Sequence, residues 1–175
     1  MIAPAHFQAL AALVRDRAGI SLKPGKESLV ESRLARRIRE LGLADVGQYV
    51  ERVRGDDDEL IRLIDAISTN VTSFFRETHH FDLLRQEVER LGRDVRVWSA
   101  AASSGEEPYS IAMTLAAVRG ERTASRVLAT DISTQILARA RAGRYGDEAV
   151  RPVPAALRSR YLAPATPGVV EVAGA

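Results

Sequence analysis

The sequence has no cysteine, few aromatic residues and no long apolar run. The absence of cysteine excludes a disulfide scaffold, a thiolate zinc site and a cysteine nucleophile, and it fits a reducing compartment. No apolar segment approaches the roughly 20 residues that a membrane-spanning helix needs. The N-terminus also lacks the basic and apolar regions of an export signal. We therefore expect a soluble, cytoplasmic protein that does not insert into a membrane.

The net charge is small, because 25 Lys and Arg stand against 23 Asp and Glu. Apolar residues make up 46% of the chain and charged residues 27%, which is typical of a globular protein. The charge is uneven, since residues 1–55 hold ten basic and six acidic side chains. A basic region of this kind favours an acidic partner.

The first 90 residues show helical periodicity only. We predict a helix ending near Gly19, a second after Pro24-Gly25, a short third, a fourth starting at the acidic run 56–59, and a fifth before residue 92. The apolar positions that carry these predictions are Phe7, Leu10, Leu13, Val14, Leu29, Leu34, Ile38, Leu41, Tyr49, Val50, Val53, Leu60, Ile61, Ile64, Ile67, Phe81, Leu84, Val88 and Leu91.

From residue 95 onward, strands alternate with helices. Residues 95–99 and 126–130 are strand-like, and each run precedes a helical segment, the first through Val118 and the second to about Gly143. This alternation predicts a parallel sheet with right-handed crossovers.

The predicted fold class is therefore α + α/β. We assign residues 1–70 to an all-helical N-terminal domain, 71–92 to a linker helix, and 93–175 to a partial doubly wound, Rossmann-like domain. The tail is expected to add a short helix at 155–161 and a short strand at 169–172. Because two parallel strands leave unpaired backbone at their edges, we expect the α/β domain to be cut short.

The loop after the first strand holds small residues and then two carboxylates, Glu106 and Glu107, at the start of a helix. In doubly wound folds, ligands bind at the carboxyl ends of strands. A dinucleotide fingerprint would place three glycines here, but only Gly105 is present, and the carboxylates would repel a pyrophosphate. They suit a cationic ligand such as S-adenosylmethionine. The alternative is that they only complement the helix dipole.

Asp131 ends the second strand, 26 residues beyond Gly105. An acidic residue at this place commonly accepts hydrogen bonds from ribose hydroxyls. The alternative is that Asp131 caps the helix that begins near Ser133.

Residues 68–77 set polar side chains beside two adjacent phenylalanines. Asn70 and Thr72 share one face if the segment is extended. The Arg76 guanidinium is able to bind a carboxylate through two hydrogen bonds. The alternative is an interdomain linker whose phenylalanines fill a core.

Three segments, in matching order and spacing, resemble the chemotaxis receptor protein-glutamate O-methyltransferase family. They are residues 69–77 with His80-Phe81, residues 97–101 through 110–112, and residues 129–132 with 140–145. The resemblance runs from about residue 5 to residue 162. It implies an all-helical domain followed by an S-adenosylmethionine-dependent methyltransferase domain. The implied substrate is glutamate in the cytoplasmic, glutamate-rich helices of chemoreceptors.

The resemblance also implies roles for single residues in cofactor binding. Asn70, Thr72 and Arg76 contact the methionine end of the cofactor, and Arg76 pairs with its carboxylate. One of Glu106 and Glu107 faces the cofactor. Asp131 holds the ribose.

The basic helix of the first domain corresponds to the family's receptor-facing surface, and opposite charge steers such encounters. The alternative is a solvated helix face with Glu31 and Glu40 as neighbours. The arginines assigned to the receptor are Arg33, Arg36, Arg37 and Arg39.

We expect no catalytic side chain and no metal. A glutamate substrate is ionised at neutral pH, and the cofactor carries the activated methyl group, so the protein has only to position both and exclude water. We also expect a monomer that does not bind nucleic acid.

Complete family members add further strands, a small antiparallel β-subdomain and an asparagine-containing segment, and we identify none of these. Three alternatives stay open: an inactive receptor-binding fragment or adaptor, a nucleic-acid-binding module, and a nicotinamide-dependent dehydrogenase. The 5% aromatic content and the modest net charge argue against nucleic acid. The missing glycines argue against the dehydrogenase.

Overall fold

The structure is a computed structural model that describes residues 2–173. The chain divides into two compact units, Met1–Thr69 and Asn70–Ala175. None of the helices in the described part of the chain has the length and hydropathy required to span a membrane.

The first unit is built from helices whose ends follow ordinary capping rules. Asp45 and Asp56 each accept a hydrogen bond from a backbone N–H three residues on, at 2.9 and 3.1 Å. Gly19 ends the first helix in the left-handed conformation, at φ +68°. The helices are α1 (Pro4–Ala18), α2 (Glu27–Glu40), α3 (Val46–Arg54) and α4 (Asp57–Ile67).

The core of this unit corrects two predicted apolar positions. Leu29 is 43% exposed and Ile61 36% exposed, whereas Val30 and Leu63 are buried. Val30 lies one residue beyond Leu29 and Leu63 lies two residues beyond Ile61, and each residue along a helix turns the side chain by about 100°, so the buried side chains lie on another face. The buried core residues are Ile2, Phe7, Leu10, Val14, Val30, Leu34, Val46, Tyr49, Val50, Val53, Leu63 and Ile67.

The second unit alternates helices and strands as predicted and then adds strands that were not predicted. Its elements are α5 (His79–Leu91), β1 (Arg96–Ala100), α6 (Glu106–Arg119), β2 (Arg126–Thr130), α7 (Thr134–Ala142), β3 (Arg144–Gly146), α8 (Ala155–Tyr161), β4 (Leu162–Thr166) and β5 (Val169–Val172).

Strands β1 and β2 form a two-stranded parallel sheet with Trp98 opposite Leu128. One face packs Val97 and Val127 against a core that includes Phe81 of α5 and further residues of α5 and α6. The opposite face is open, because Trp98 and Leu128 are 67% and 61% exposed. The sheet therefore has one covered and one uncovered apolar face.

A second sheet has the antiparallel order β3-β5-β4. This antiparallel sheet was not predicted from the sequence. β3 has only three residues, and Pro164 interrupts the pattern of β4, so neither carries a clear strand signal. Proline is tolerated there because β4 lies at the edge of the sheet. A turn at Pro167-Gly168, with Gly168 at φ +75°, connects β4 to β5.

Candidate functional site

The loop between β1 and α6 holds strained backbone at the carboxyl end of the parallel sheet. Ala101 and Ser103 adopt positive φ angles of +60° and +51°. The left-handed conformation costs a non-glycine residue about 1–2 kcal/mol. Backbone strain of this kind clusters at ligand sites, so the loop is a candidate binding element.

Gly105, which precedes α6, cannot be replaced by a larger residue without a clash. Its φ is +102°, and a Cβ there would lie 2.6 Å from Tyr145 Oη and 3.1 Å from Ala140 Cα. The glycine expected from the sequence is thus required by close packing as well as by backbone conformation.

The two carboxylates at the start of α6 lie in different surroundings. Glu106 is 9% exposed, and its Oε2 accepts a hydrogen bond from Ser104 Oγ at 2.6 Å. Within residues 2–173 no ion pair is recorded for Glu106. Glu107 is exposed, and its Oε1 accepts a hydrogen bond from buried Ser99 Oγ at 2.7 Å.

Asp131 ties together the loops that follow the two parallel strands. Its Oδ2 accepts a hydrogen bond from Ser103 N at 2.8 Å, and its Oδ1 accepts one from Ser133 N at 2.9 Å. The N-cap of α7 is Ser133, whose Oγ accepts from Ile136 N at 3.3 Å. A carboxylate has about four acceptor positions, so both oxygens of Asp131 retain capacity for a ligand.

The phenylalanines of residues 70–77 anchor this segment against α6. Phe74 is 1% exposed, and its ring meets the Tyr145 ring edge-on with centroids 4.8 Å apart. Phe75 N–H donates to Ser110 Oγ at 3.0 Å, and that hydroxyl donates to Glu106 O at 2.6 Å. The segment is thereby joined to the first turn of α6.

The polar side chains of the same segment lie nearer the protein surface than Phe74 does. Asn70 and Arg76 are exposed, and Thr72 is half-buried. The Arg76 guanidinium donates to Val71 O at 3.0 Å. Among the contacts recorded for the described residues, none links Arg76 directly to Glu106 or Asp131.

Sequence reasoning did not assign a role to Tyr145 or to Ser104. Tyr145 Oη donates to Ser104 O at 2.7 Å, although 41 residues separate the two in sequence. The sequence signal was that Tyr145 and Ser104 each lie inside one of the three resembling segments.

A cavity of about 420 Å³ lies between α6, β2 and α7. Gly105, Tyr109, Leu137 and Ala140 are among the residues that line it. None of the six residues predicted to bind the cofactor lines this cavity, so it is distinct from the predicted site.

In the first unit, Arg33 of α2 binds the C-terminal end of α4. Its guanidinium donates to Ile67 O, to Ser68 O at 3.1 Å and to Thr69 Oγ1 at 3.3 Å. The carbonyls at a helix C-terminus lack partners within the helix, so this arginine serves as a side-chain cap.

The other arginines of α2 differ in how firmly they are held. Arg37 pairs with the buried carboxylate of Glu59 at 2.6 Å. Arg36 pairs with exposed Glu40 at 2.8 Å. Arg39 is exposed, and no ion pair of its side chain is recorded within residues 2–173. Arg36 and Arg39 are therefore the most available of the four to a partner.

Both units match models of one protein family. The all-alpha domain of the CheR methyltransferases matches residues 5–68, and their SAM binding domain matches residues 70–174. The chain belongs to the CheR methyltransferase family.

Similar proteins named chemotaxis protein methyltransferase occur in several bacteria. The one from Escherichia coli (strain K12) is 43% identical over 164 residues, covering 92% of this chain and 57% of the relative. The one from Salmonella typhimurium is 46% identical over 147 residues, covering 82% of this chain and 51% of the relative. Chemotaxis protein methyltransferase 2 of Pseudomonas aeruginosa is 43% identical, covering 85% of this chain and 56% of the relative. The chain thus spans a little more than half the length of these curated relatives.

Membership in the CheR family confirms the predicted resemblance and the predicted fold class. An all-helical N-terminal domain precedes a partial Rossmann-like methyltransferase domain. The matched domain is described as one that binds S-adenosylmethionine, which confirms the expected methyl donor of the family.

Proposed function

We propose that this chain acts as a protein-glutamate O-methyltransferase, transferring a methyl group from S-adenosylmethionine to glutamate side chains of chemoreceptors. The observation that carries the proposal is that both of its domains match the CheR methyltransferase family. The relatives' name, chemotaxis protein methyltransferase, supports chemoreceptors as the partner.

The carboxylates at the strand ends fit the cofactor. Glu106 is buried without a recorded ion pair in the described chain, and burial of an unpaired carboxylate is costly. A cationic ligand group would offset that cost, so Glu106 is one candidate for the cofactor ammonium. The other candidate is exposed Glu107, which accepts a hydrogen bond from Ser99 at the carboxyl end of β1. Asp131 keeps acceptor capacity for the ribose hydroxyls.

Residues 70–77 supply the remaining contacts with the cofactor. Arg76 is exposed, and its guanidinium donates to the backbone oxygen of Val71. Its other N–H groups are available for the cofactor carboxylate. Asn70 and Thr72 are assigned to the methionine end of the cofactor.

When bound, S-adenosylmethionine supplies a methyl group already activated by its sulfonium. A glutamate substrate is ionised at neutral pH, so no side chain of this protein has to remove a proton from it. The residues named above orient the reactants and exclude water.

The basic face of α2 supports an acidic partner. Arg36 and Arg39 are exposed on it and would face the glutamate-rich helices of the receptor. We further propose that the protein works as a monomer in the cytoplasm and that its partner is protein rather than nucleic acid.

A second candidate is a receptor-binding fragment or adaptor that does not turn over. The open face of the two-stranded sheet, with Trp98 67% exposed, favours it. Such an adaptor would bind the receptor through α2 and would not need a cofactor.

Calorimetric titration with S-adenosylhomocysteine, the reaction product, tests the cofactor site. We expect binding that Arg76→Ala and Asp131→Asn weaken. Of Glu106→Gln and Glu107→Gln, we expect one to weaken binding, which identifies the carboxylate that faces the ammonium, and the other serves as its matched control. An absence of binding by the unaltered chain would reject the cofactor site.

Turnover separates the two candidates. The chain is incubated with labelled S-adenosylmethionine and a receptor cytoplasmic fragment, and base-labile methyl esters are counted. Esters above the enzyme-free blank support the methyltransferase. Receptor binding without ester formation supports the adaptor.

A further inference from the structure

Two residues with left-handed backbone stand on either side of Arg76. Phe75 has a φ angle of +51° and Glu77 one of +54°, and neither residue is a glycine. The left-handed conformation costs such a residue about 1–2 kcal/mol. Conformations of this kind persist only where the surrounding structure holds them, and they cluster at ligand sites. The turn that carries Arg76 must therefore be held by contacts with other parts of its unit.

Ser110 of α6 supplies a hydrogen bond to this turn. Phe75 N–H donates to Ser110 Oγ at 3.0 Å, although 35 residues separate the two in sequence. Ser110 is fully buried, and its hydroxyl donates to the backbone oxygen of Glu106, one turn earlier in the helix, at 2.6 Å. Because a hydroxyl has a single proton, this bond leaves Ser110 Oγ as an acceptor for Phe75. The backbone next to Arg76 is thereby tied to the helix.

Two further contacts hold the same residue. Thr78 Oγ1 donates to Phe75 O at 3.2 Å, and the Phe75 ring lies against the Phe81 ring with centroids 5.0 Å apart. Phe74 is buried in a different cluster of apolar residues, whereas Arg76 is exposed. The left-handed backbone at Phe75 thus marks the point where the chain changes from buried to exposed side chains, and bonds to both its N–H and its C=O hold it there.

We propose that Ser110 is a positioning residue for cofactor binding, which holds the Phe75 backbone so that the Arg76 guanidinium is directed toward the cofactor carboxylate. This inference rests on the proposed function, because it presumes that Arg76 binds that carboxylate. Ser110 acts through the turn, since its hydroxyl is buried and bonded to backbone atoms on both sides. The inference predicts a selective effect, because only ligands that carry the carboxylate depend on the position of Arg76.

The test compares two ligands on the full chain by calorimetry. S-adenosylhomocysteine carries the carboxylate, whereas decarboxylated S-adenosylhomocysteine keeps the ammonium and the nucleoside and lacks only that group. We expect Ser110→Ala to weaken S-adenosylhomocysteine binding about fivefold, the loss expected for one hydrogen bond, and to leave the affinity for the decarboxylated ligand unchanged. Arg76→Ala should show the same selectivity with a loss of about tenfold or more, and adding Ser110→Ala to it should cause no further selective loss.

Thr114→Val is the matched control. It also removes a buried hydroxyl from α6, but that hydroxyl donates to Ser110 O at 2.8 Å, within the helix, and not to the turn that carries Arg76. It is expected to leave the ratio of the two affinities unchanged. Melting curves show whether each variant is folded at the temperature of the titration.

Thr78→Val tests the same turn from an exposed position, in case Ser110→Ala does not fold. It removes the hydrogen bond to Phe75 O, and Thr78 makes no side-chain cap of α5 that the change would also remove. We expect a selective loss of about twofold for S-adenosylhomocysteine. If Ser110→Ala is unfolded and Thr78→Val shows no selective loss, the inference is overturned.

Equal weakening of both ligands by Ser110→Ala would show a role in the folding of α6 and would overturn the inference. An unchanged affinity for S-adenosylhomocysteine would overturn it as well. If the unaltered chain binds neither ligand, the proposed cofactor site fails and this inference fails with it. Retained binding without a selective loss, by contrast, rejects the role of Ser110 alone.

Discussion

Arg37 holds the buried carboxylate of Glu59 through two hydrogen bonds, from Nε at 2.9 Å and from Nη2 at 2.6 Å. Glu59 is 2% exposed and also accepts a hydrogen bond from Tyr49 Oη at 2.9 Å. These contacts join α2, α3 and α4. Arg37 was predicted to face the receptor, and the structure also gives it this internal role.

The first prediction concerns the pH dependence of stability. The hydrogen bond from Arg37 is the main cause of a lowered pKa of Glu59, and the bond from Tyr49 lowers it further. A lowered folded-state pKa means that the carboxylate stabilises the fold above its unfolded pKa of about 4.3. That contribution is lost as pH falls through the folded-state pKa.

Glu59→Gln should therefore destabilise the chain at neutral pH by about 2 kcal/mol. The variant should also lose less stability than the unaltered chain between pH 5 and strongly acidic pH. Urea unfolding followed by circular dichroism across this range measures both effects. Glu51→Gln, which removes a carboxylate from an exposed pair with Arg54, is the control and should change little. Parallel pH profiles for Glu59→Gln and the unaltered chain would contradict the prediction.

The second prediction concerns Gly105 before α6. Gly105→Ala places a Cβ 2.6 Å from Tyr145 Oη in a backbone conformation with φ +102°. We expect a loss of about 2–4 kcal/mol in the free energy of unfolding, because steric overlap adds to backbone strain.

Gly92→Ala separates these two contributions. Gly92 has φ +61°, and a Cβ there would meet nothing within 4 Å. This variant should lose only the backbone part, about 1 kcal/mol. Chemical unfolding of both variants gives the comparison, and equal losses would show that the clash with Tyr145 is relieved at no cost.

The spacing of apolar residues predicted the helices and strands in which such residues repeat regularly. The strand at 126–130 and the helix at 155–161 have the predicted bounds. The short β3 and the proline-containing β4 carry no such repeat, and their pairing with β5 depends on contacts distant in sequence. Sequence reasoning therefore missed the antiparallel sheet.

The predicted parallel pairing of the strands located more of the candidate site than the spacing of apolar residues did. The carboxyl ends of two parallel strands lie at the same edge of a sheet, which placed the Glu106 loop near Asp131. The hydrogen bond from Ser103 N to Asp131 agrees with that placement. The pairing of Arg37 with Glu59, 22 residues away, has no local pattern and could not be predicted.

The third prediction uses the single tryptophan of the sequence. Trp98 lies on the open face of the parallel sheet and is 67% exposed. Its fluorescence should show the emission of a hydrated indole and strong quenching by acrylamide. Emission that does not change with protein concentration is expected for the proposed monomer. Blue-shifted, unquenched emission at high dilution would show that this face is covered.

The last prediction tests the receptor surface. Because Arg33 and Arg37 support the helical unit, we choose the exposed Arg36 and Arg39 and reverse both to glutamate. Association with an immobilised receptor cytoplasmic fragment should slow by about tenfold at low salt, since opposite charge steers encounter. At high salt the difference should largely vanish, because the charges are screened.

Reversal of Arg15 and Arg17 on α1 makes the same change in net charge at another exposed place. It should slow association much less, because local charge at the contact surface, rather than total charge, guides docking. Association rates measured at both salt concentrations, with melting curves for each variant, complete the experiment. Equal slowing by the two double variants would mean that α2 has no special part in receptor recognition, and the receptor-facing assignment of Arg36 and Arg39 would then be abandoned.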